Sequence, residues 1–157
     1  MPDSPASDVR VRRAVAGDLD ALAALEEASF DGDRLSRAQY RRHLDSDSAL
    51  VLAASAKAHG LLGSAVLFFR KGSAVARLYS LATRREARGR GVGGALLDAV
   101  AGQAHRRGCR ALRLEVRADK AAAIRLYEKH GYRRTGRLAA YYEDGTDGWR
   151  YEKPLDA

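Results

Sequence analysis

The sequence predicts a mixed-sheet α/β (α+β) domain with the element order β-α-α-β-β-β-α-β-α-β-β. Three observations carry this. Apolar residues repeat with a period of two in some stretches and at helical spacing in others. Three successive apolar runs, 49–54, 61–69 and 75–82, are broken only by short turn-forming segments. A glycine-rich turn then stands between the third run and a helix-patterned segment.

The elements follow in chain order. Val9 to Val15 alternates Val and Arg as a half-buried strand does, and Asp18 sits where a helix N-cap belongs. Leu19, Leu22, Ala23 and Leu25 give the first helix its apolar face, and Ser36 caps a second short helix reaching Leu44. The three apolar runs form an antiparallel meander, with 70–73 as a hairpin turn. Leu96, Leu97, Val100 and Ala104 recur at helical spacing up to a C-capping Gly108. Ala111 to Val116 returns as a parallel strand, because a helix carries the chain back. Asp119 is placed as cap of the helix 120–130, which Gly131 ends, and strands 132–138 and 148–154 close the sheet.

At 157 residues the chain reads as a Ser/Pro/Asp-rich disordered tail, 1–8, followed by one domain, 9–157. A domain of that size buries roughly 70% of its unfolded surface in a single core. The start lacks the basic and apolar stretches of a signal peptide, and no apolar run approaches the ~18 residues of a membrane helix. Cys109, the single cysteine, excludes an internal disulfide and a multi-cysteine metal site and points to a reducing cytoplasm. His43, His59, His105 and His130 lack zinc-helix spacing, so no metal is expected.

The net charge of +8 suits an anionic cofactor, an acidic protein or a nucleic acid. The basic residues are 23 Arg and 5 Lys, scattered and interleaved with acids, which argues against a general nucleic-acid role.

Residues 88–94 read Arg-Gly-Arg-Gly-Val-Gly-Gly. Glycines let the backbone approach a ligand closely, and the amides that open the following helix lie at the positive end of its dipole. Arg88 and Arg90 add fixed charge, so the expected guest carries phosphates. Gly89, Gly91 and Gly94 also fit the dinucleotide fingerprint, with Glu115 where the ribose-binding acid would fall. The context argues against it: 83–87 separate strand from glycines, and antiparallel strands come first. No Lys-Ser/Thr follows the glycines, which excludes the Walker pattern.

The spacing Arg88-x-x-Gly91-x-Gly93 resembles the acyl-CoA pyrophosphate loop of the GNAT superfamily of N-acetyltransferases. Leu114-Glu115-Val116-Arg117-Ala118, the run from Ala121 to Tyr132 and the pair Tyr141-Tyr142 make the chain similar to the RimI group, which acetylates the N-terminal amine of a ribosomal protein. The resemblance implies a GNAT-like fold with a splayed central parallel strand pair and acetyl-CoA as co-substrate. It implies that backbone at Leu81, Ala82 and Thr83 holds the pantetheine arm and acetyl carbonyl, while Arg88, Gly89, Arg90, Gly91, Val92, Gly93 and Gly94 hold the pyrophosphate. Glu115 matches the group's general base and Tyr127 its general acid. Where the group carries an Asn that bonds the cofactor arm, this chain has Lys120, which either reaches a phosphate or, as expected, turns to solvent.

The chemistry fits those residue types. An amine attacks a thioester only when unprotonated, so a carboxylate can take its proton directly or through a water, and a tyrosine hydroxyl can supply a proton to the departing thiolate. Other roles stay open. Glu115 also suits the polar face of an alternating strand, paired with Arg113 or Arg117, and Tyr127 also suits a core-facing helix position. Tyr141 and Tyr142 serve either as loop anchors or as peptide contacts. Asp31, Asp33, Glu143 and Asp144 either draw a cationic amine to the entrance or are solvated loop charges.

The expected reaction is direct transfer of acetyl to the N-terminal amine of a protein or peptide in a ternary complex, without an acyl-enzyme on Cys109. The alternatives are a small amine acceptor (polyamine, aminoglycoside or amino acid) and a non-catalytic CoA-sensing or RNA-binding module. A monomer or a homodimer is expected, with no membrane association.

Overall fold

The computed structural model describes residues 9–30, 32, 34–57 and 59–155. The tail 1–8 and the candidates Asp31 and Asp33 lie outside them. Among the described residues, seven strands and four α-helices follow the predicted order: β1 (Arg10–Arg13), α1 (Leu19–Ser29), α2 (Arg37–Leu44), β2 (Ala49–Ala56), β3 (Gly60–Phe68), β4 (Val75–Thr83), α3 (Val92–Arg106), β5 (Ala111–Arg117), α4 (Ala121–Lys129), β6 (Arg133–Leu138) and β7 (Gly148–Pro154). The sheet order is β1-β2-β3-β4-β5-β7-β6, with β4 and β5 the parallel pair and every other neighbour antiparallel.

Strand alternation sorts the apolar residues onto two faces. Leu50, Leu52, Leu78, Leu112 and Leu114 join Leu96, Leu97 and Val100 of α3 in the larger core, on the side that also takes Tyr127 of α4. Val51, Ala53 and Val66 face the other way, against Leu22 of α1 and Tyr40 of α2. A fully buried leucine contributes about 1.5–3 kcal/mol, so both layers matter to stability.

The helix ends show why the chain breaks where it does. Ser36 and Gln39 form a reciprocal capping box on α2, with Gln39 N donating to Ser36 Oγ at 3.1 Å and Ser36 N to Gln39 Oε1 at 2.8 Å. Gly108 and Gly131 adopt φ of 84° and 90°, closing Schellman turns after α3 and α4.

Of the two predicted caps, Asp18 holds the N-cap position of α1 and Asp119 does not hold that of α4. Asp18 precedes α1 but makes no cap bond to it, because a 3₁₀ turn at Ala16–Asp18 comes first. Its carboxylate instead accepts from Val15 N at 2.8 Å and from both terminal nitrogens of Arg12. Lys120, not Asp119, occupies the N-cap position of α4, since Asp119 is drawn to the guanidinium of Arg117.

Candidate active site

The parallel pair is short. Only Val75–Arg77 of β4 pairs with Ala111–Arg113 of β5, and beyond these rungs β5 continues against β7 alone. The two strands therefore part from Leu78 and Leu114 onward. In β4 a bulge falls at Tyr79, since Leu67 pairs with Leu78 and Val66 with Ser80.

Past the bulge, the register assigns the main-chain groups. Arg84 N donates to Leu62 O at 2.8 Å, which makes that pair and, two residues on, the Ala82 and Ser64 pair hydrogen-bonded. Leu81 and Thr83 alternate with them, so their N–H and C=O groups point away from β3 into the gap. Of the three positions expected to hold a pantetheine arm, Ala82 is spent on β3 and the other two are free to face a ligand.

The glycine turn divides into two jobs. Gly89 and Gly91 have φ of 79° and 82°, a left-handed conformation that other residues reach only with strain, and nothing stands within 4 Å of a Cβ placed on Gly89. That open side is where a diphosphate can come close. Gly93 and Gly94 lie inside α3, one turn earlier than the helical run read from the sequence, and they are small for packing. A Cβ on Gly93 would sit 2.8 Å from Leu126 Cδ2, and one on Gly94 would sit 3.1 Å from His130 Nε2.

The first intrahelical donor of α3 is Ala95 N, bonded to Gly91 O at 3.0 Å, and no side chain caps the helix. The amides of Val92, Gly93 and Gly94 thus have no acceptor within α3. Arg84, Arg85, Arg88 and Arg90 are all exposed around this turn, and Arg84 pairs with Glu86 at 2.9 Å. Uncapped amides, an open glycine surface and clustered guanidinium groups fit a phosphate-bearing cofactor.

Glu115 and Tyr127 lie on opposite faces of the sheet. Glu115 points away from the α3 and α4 core, and its side chain is 5% exposed. Its Oε1 accepts from Arg77 Nε at 2.7 Å and its Oε2 from Arg150 Nε at 3.3 Å, with Arg113 Nε 3.5 Å away. The expected partner Arg113 is present. Arg117 is not a partner: it turns to Asp119, Asp144 and Thr146.

Tyr127 is buried, with its ring 5.7 Å from that of Tyr132 in an edge contact. Burial first, and the neighbouring Tyr142 second, push its hydroxyl well above the ordinary tyrosine range, so it stays protonated. Tyr142 comes from the β6–β7 loop, where its ring stands edge-on to Tyr141 at 5.0 Å and lies 5.1 Å from the Arg117 guanidinium. Asp144, read as either an entrance charge or a solvated loop charge, is committed to Arg117 at 2.7 Å. Lys120 is exposed at the start of α4. Cys109 is buried at the far end of α3, and burial pushes its thiol up.

Arg77, Arg150 and the Tyr79 bulge were not singled out from the sequence. Alternation in 75–79 places Arg77 and Tyr79 on one face, but which strand lies alongside is a matter of tertiary register.

The family model for the acetyltransferase (GNAT) family matches residues 19–132, and the chain belongs to this family of acyl-CoA-dependent N-acetyltransferases. Over 71 residues it is 39% identical to N-alpha-acetyltransferase 30 of Schizosaccharomyces pombe, a stretch covering 45% of this chain and 47% of that protein. The chain spans about half the length of the curated relatives it matches. Its fold is similar to that of the ribosomal-protein-S18-alanine N-acetyltransferase from Escherichia coli, with a TM-score of 0.83, 24% identity and 95% coverage of each chain. It is also similar to a chain of the NatC complex bound to Gag peptide and CoA, with a TM-score of 0.81, 20% identity and coverage of 95% of this chain and 99% of that one. Among the described residues no helix is long and apolar enough to cross a membrane.

Proposed function

We propose that this domain transfers the acetyl group of acetyl-CoA to the N-terminal amine of a protein or peptide, by direct attack in a ternary complex. The observation that supports this reading most is the gap between β4 and β5: Leu81 and Thr83 turn main-chain groups into it, and Glu115 and Tyr127 flank it from opposite faces. The names of the relatives, an N-alpha-acetyltransferase and a ribosomal-protein alanine N-acetyltransferase, favour an N-terminal acceptor over a small amine.

Acetyl-CoA, when bound, supplies an activated thioester. The residues 88–94 hold its pyrophosphate through the Val92, Gly93 and Gly94 amides, and Leu81 and Thr83 hold its arm. Lys120 stays in solvent beside it. Glu115 has both oxygens engaged by arginines, so it takes the proton of the incoming amine through an ordered water, which passes that proton on to the carboxylate. Tyr127, kept protonated by burial, donates on the opposite side of the gap. Tyr141 and Tyr142 line the acceptor's approach.

Glu115→Gln and Tyr127→Phe are expected to lower kcat by roughly 10²–10⁴-fold, the usual scale of general acid–base assistance, with acetyl-CoA affinity nearly unchanged. Steady-state kinetics with peptide acceptors, paired with calorimetric cofactor titration, measures both. Turnover near wild type in the two variants rejects these roles. Activity on spermidine or free amino acids, and on no peptide, moves the acceptor to a small amine.

A further inference from the structure

The parting point of β4 and β5 carries more positive charge than its one buried carboxylate can balance. Arg77, Arg113 and Arg150 converge on Glu115 from three strands, β4, β5 and β7, because Arg77 pairs with Arg113 and Glu115 with Arg150 in the sheet register. Their side chains remain 36%, 41% and 38% exposed, while that of Glu115 is only 5% exposed. The guanidinium groups thus reach solvent above a carboxylate they cover. Arg113 Nε is itself buried and makes no hydrogen bond.

The same sheet face adds Arg133 and Glu152, with Glu152 in register with both Arg113 and Arg133. Four arginines against two glutamates leave a surplus of two positive charges. Arg117, the next cation along β5, shows the opposite balance, held by the two carboxylates Asp119 and Asp144. The packing of α1 and α2 is against β2, β3 and β4, which leaves the arginines of β5 and β7 open to an incoming molecule. Tyr79, 39% exposed at the bulge, sits beside Arg77 with its ring centre 5.2 Å from that guanidinium.

We propose that Arg77, Arg113 and Arg150 read a carboxylate carried by the acceptor within one or two residues of the reacting amine. This rests on the acetyl-transfer reading above. An extended residue spans about 3.3–3.6 Å, so a group one or two residues from an amine lodged in the gap falls over the first unpaired rungs, where these guanidinium groups emerge. Arginine offers a planar fork that matches a carboxylate with two parallel bonds. The chemistry is shared by an acidic side chain at the second or third position of a peptide and by the α-carboxylate of a free amino acid.

The test compares acceptors on the full chain with acetyl-CoA. Peptides amidated at the C-terminus and beginning Ala-Asp, Ala-Glu, Ala-Ala or Ala-Lys are run beside free alanine and alaninamide. An acidic second residue should raise kcat/KM about tenfold or more over Ala-Ala, chiefly through KM, with Ala-Lys poorest. The advantage should shrink with added salt. Preference among the peptides assigns the carboxylate to a side chain; preference for alanine over alaninamide assigns it to a free amino acid. Arg150→Gln should level the peptides, while Arg106→Ala, which removes one charge at the end of α3, should leave the ranking intact. Equal rates for all acceptors, or Ala-Lys preferred, overturn this inference and leave acetyl transfer standing. Turnover of no acceptor overturns both.

Discussion

The Tyr40 hydroxyl donates to Glu26 Oε1 at 2.6 Å between α2 and α1, where Tyr40 is fully buried and Glu26 is 2% exposed. The other carboxylate oxygen accepts from Leu35 N at 2.8 Å, so Glu26 ties the connection between α1 and α2 to the helices on either side of it. The Ser64 and Ser80 hydroxyls lie close enough to favour a charged Tyr40 oxygen, yet neither completes a hydrogen bond. Burial raises the Glu26 carboxyl, opposed by the bonds from Tyr40 and Leu35 and by the charge of Arg34.

Removing Tyr40's donor leaves a buried acceptor short of a partner, so Tyr40→Phe should cost about 1–3 kcal/mol. The sign with pH follows from the raised carboxyl. The stability Glu26 contributes is present in full below the ordinary carboxylate value of about 4.3 and is lost as pH rises through its higher folded value. Tyr40's bond favours the ionised form, so Tyr40→Phe should be more damaging at about pH 8 than at about pH 5. Glu26→Gln should gain on wild type as pH rises. Urea midpoints at the two pH values measure this, and a Tyr40→Phe penalty that does not change with pH contradicts it.

The glycines separate by job, and substitution should separate them by outcome. Gly102 lies exposed in the middle of α3 with nothing within 4 Å of a Cβ, so Gly102→Ala should stabilise by about 0.5–1 kcal/mol. Gly91→Ala should lose about 1–2 kcal/mol to its left-handed φ and weaken acetyl-CoA binding as well. At Gly63 a Cβ would meet Ala82 O at 2.8 Å and Val92 Cγ1 at 2.9 Å, which makes this glycine the reason α3 can start so close to β3 and β4. Gly63→Ala should cost about 1–3 kcal/mol by overpacking. Melting curves with and without acetyl-CoA distinguish the three, and a destabilised Gly102→Ala would refute the packing argument.

The sequence exposed whatever depends on local spacing. The two periods, the Gly108 and Gly131 ends and the Ser36 cap all appear where local chemistry places them. The resemblance brought Glu115, Tyr127 and the gap between the strands. The arginines around Glu115 were hidden because Arg77, Arg113 and Arg150 meet only through register across three strands, 38 and 35 residues from Glu115 in the outer two cases. Competing partners explain why neither carboxylate bonds the helix it precedes. Asp18 and Asp119 have the right residue type at helix starts, but Arg12 and Arg117 claim their carboxylates first. Gly93 and Gly94 read as phosphate-binding residues from composition, whereas their missing side chains also make room for Leu126 and His130.

Arg117 organises the β6–β7 loop that carries the tyrosine pair. Its Nη2 donates to Asp144 Oδ2 at 2.7 Å, Thr146 Oγ1 at 3.0 Å and Asp119 Oδ2 at 3.2 Å, and its guanidinium faces the Tyr142 ring. Arg117, and after it Thr146, hold the Asp144 carboxyl far below the ordinary carboxylate range. A depressed carboxyl keeps its contribution above the unfolded value and loses it only as pH falls through the folded one, so the loop should stay pinned in mild acid. Both carboxylates are exposed and Arg117 is only half-buried, so Arg117→Ala should change global stability little. It should instead release Tyr141 and Tyr142 and raise the acceptor KM several-fold, with kcat and acetyl-CoA affinity close to wild type. Arg117→Lys should recover little, because an ammonium lacks the second bonds that Nε makes to Asp119 Oδ1 and Nη1 to Asp144 Oδ1. If Arg117→Ala leaves the acceptor KM unchanged, the tyrosine pair either keeps its place without this anchor or takes no part in binding the acceptor.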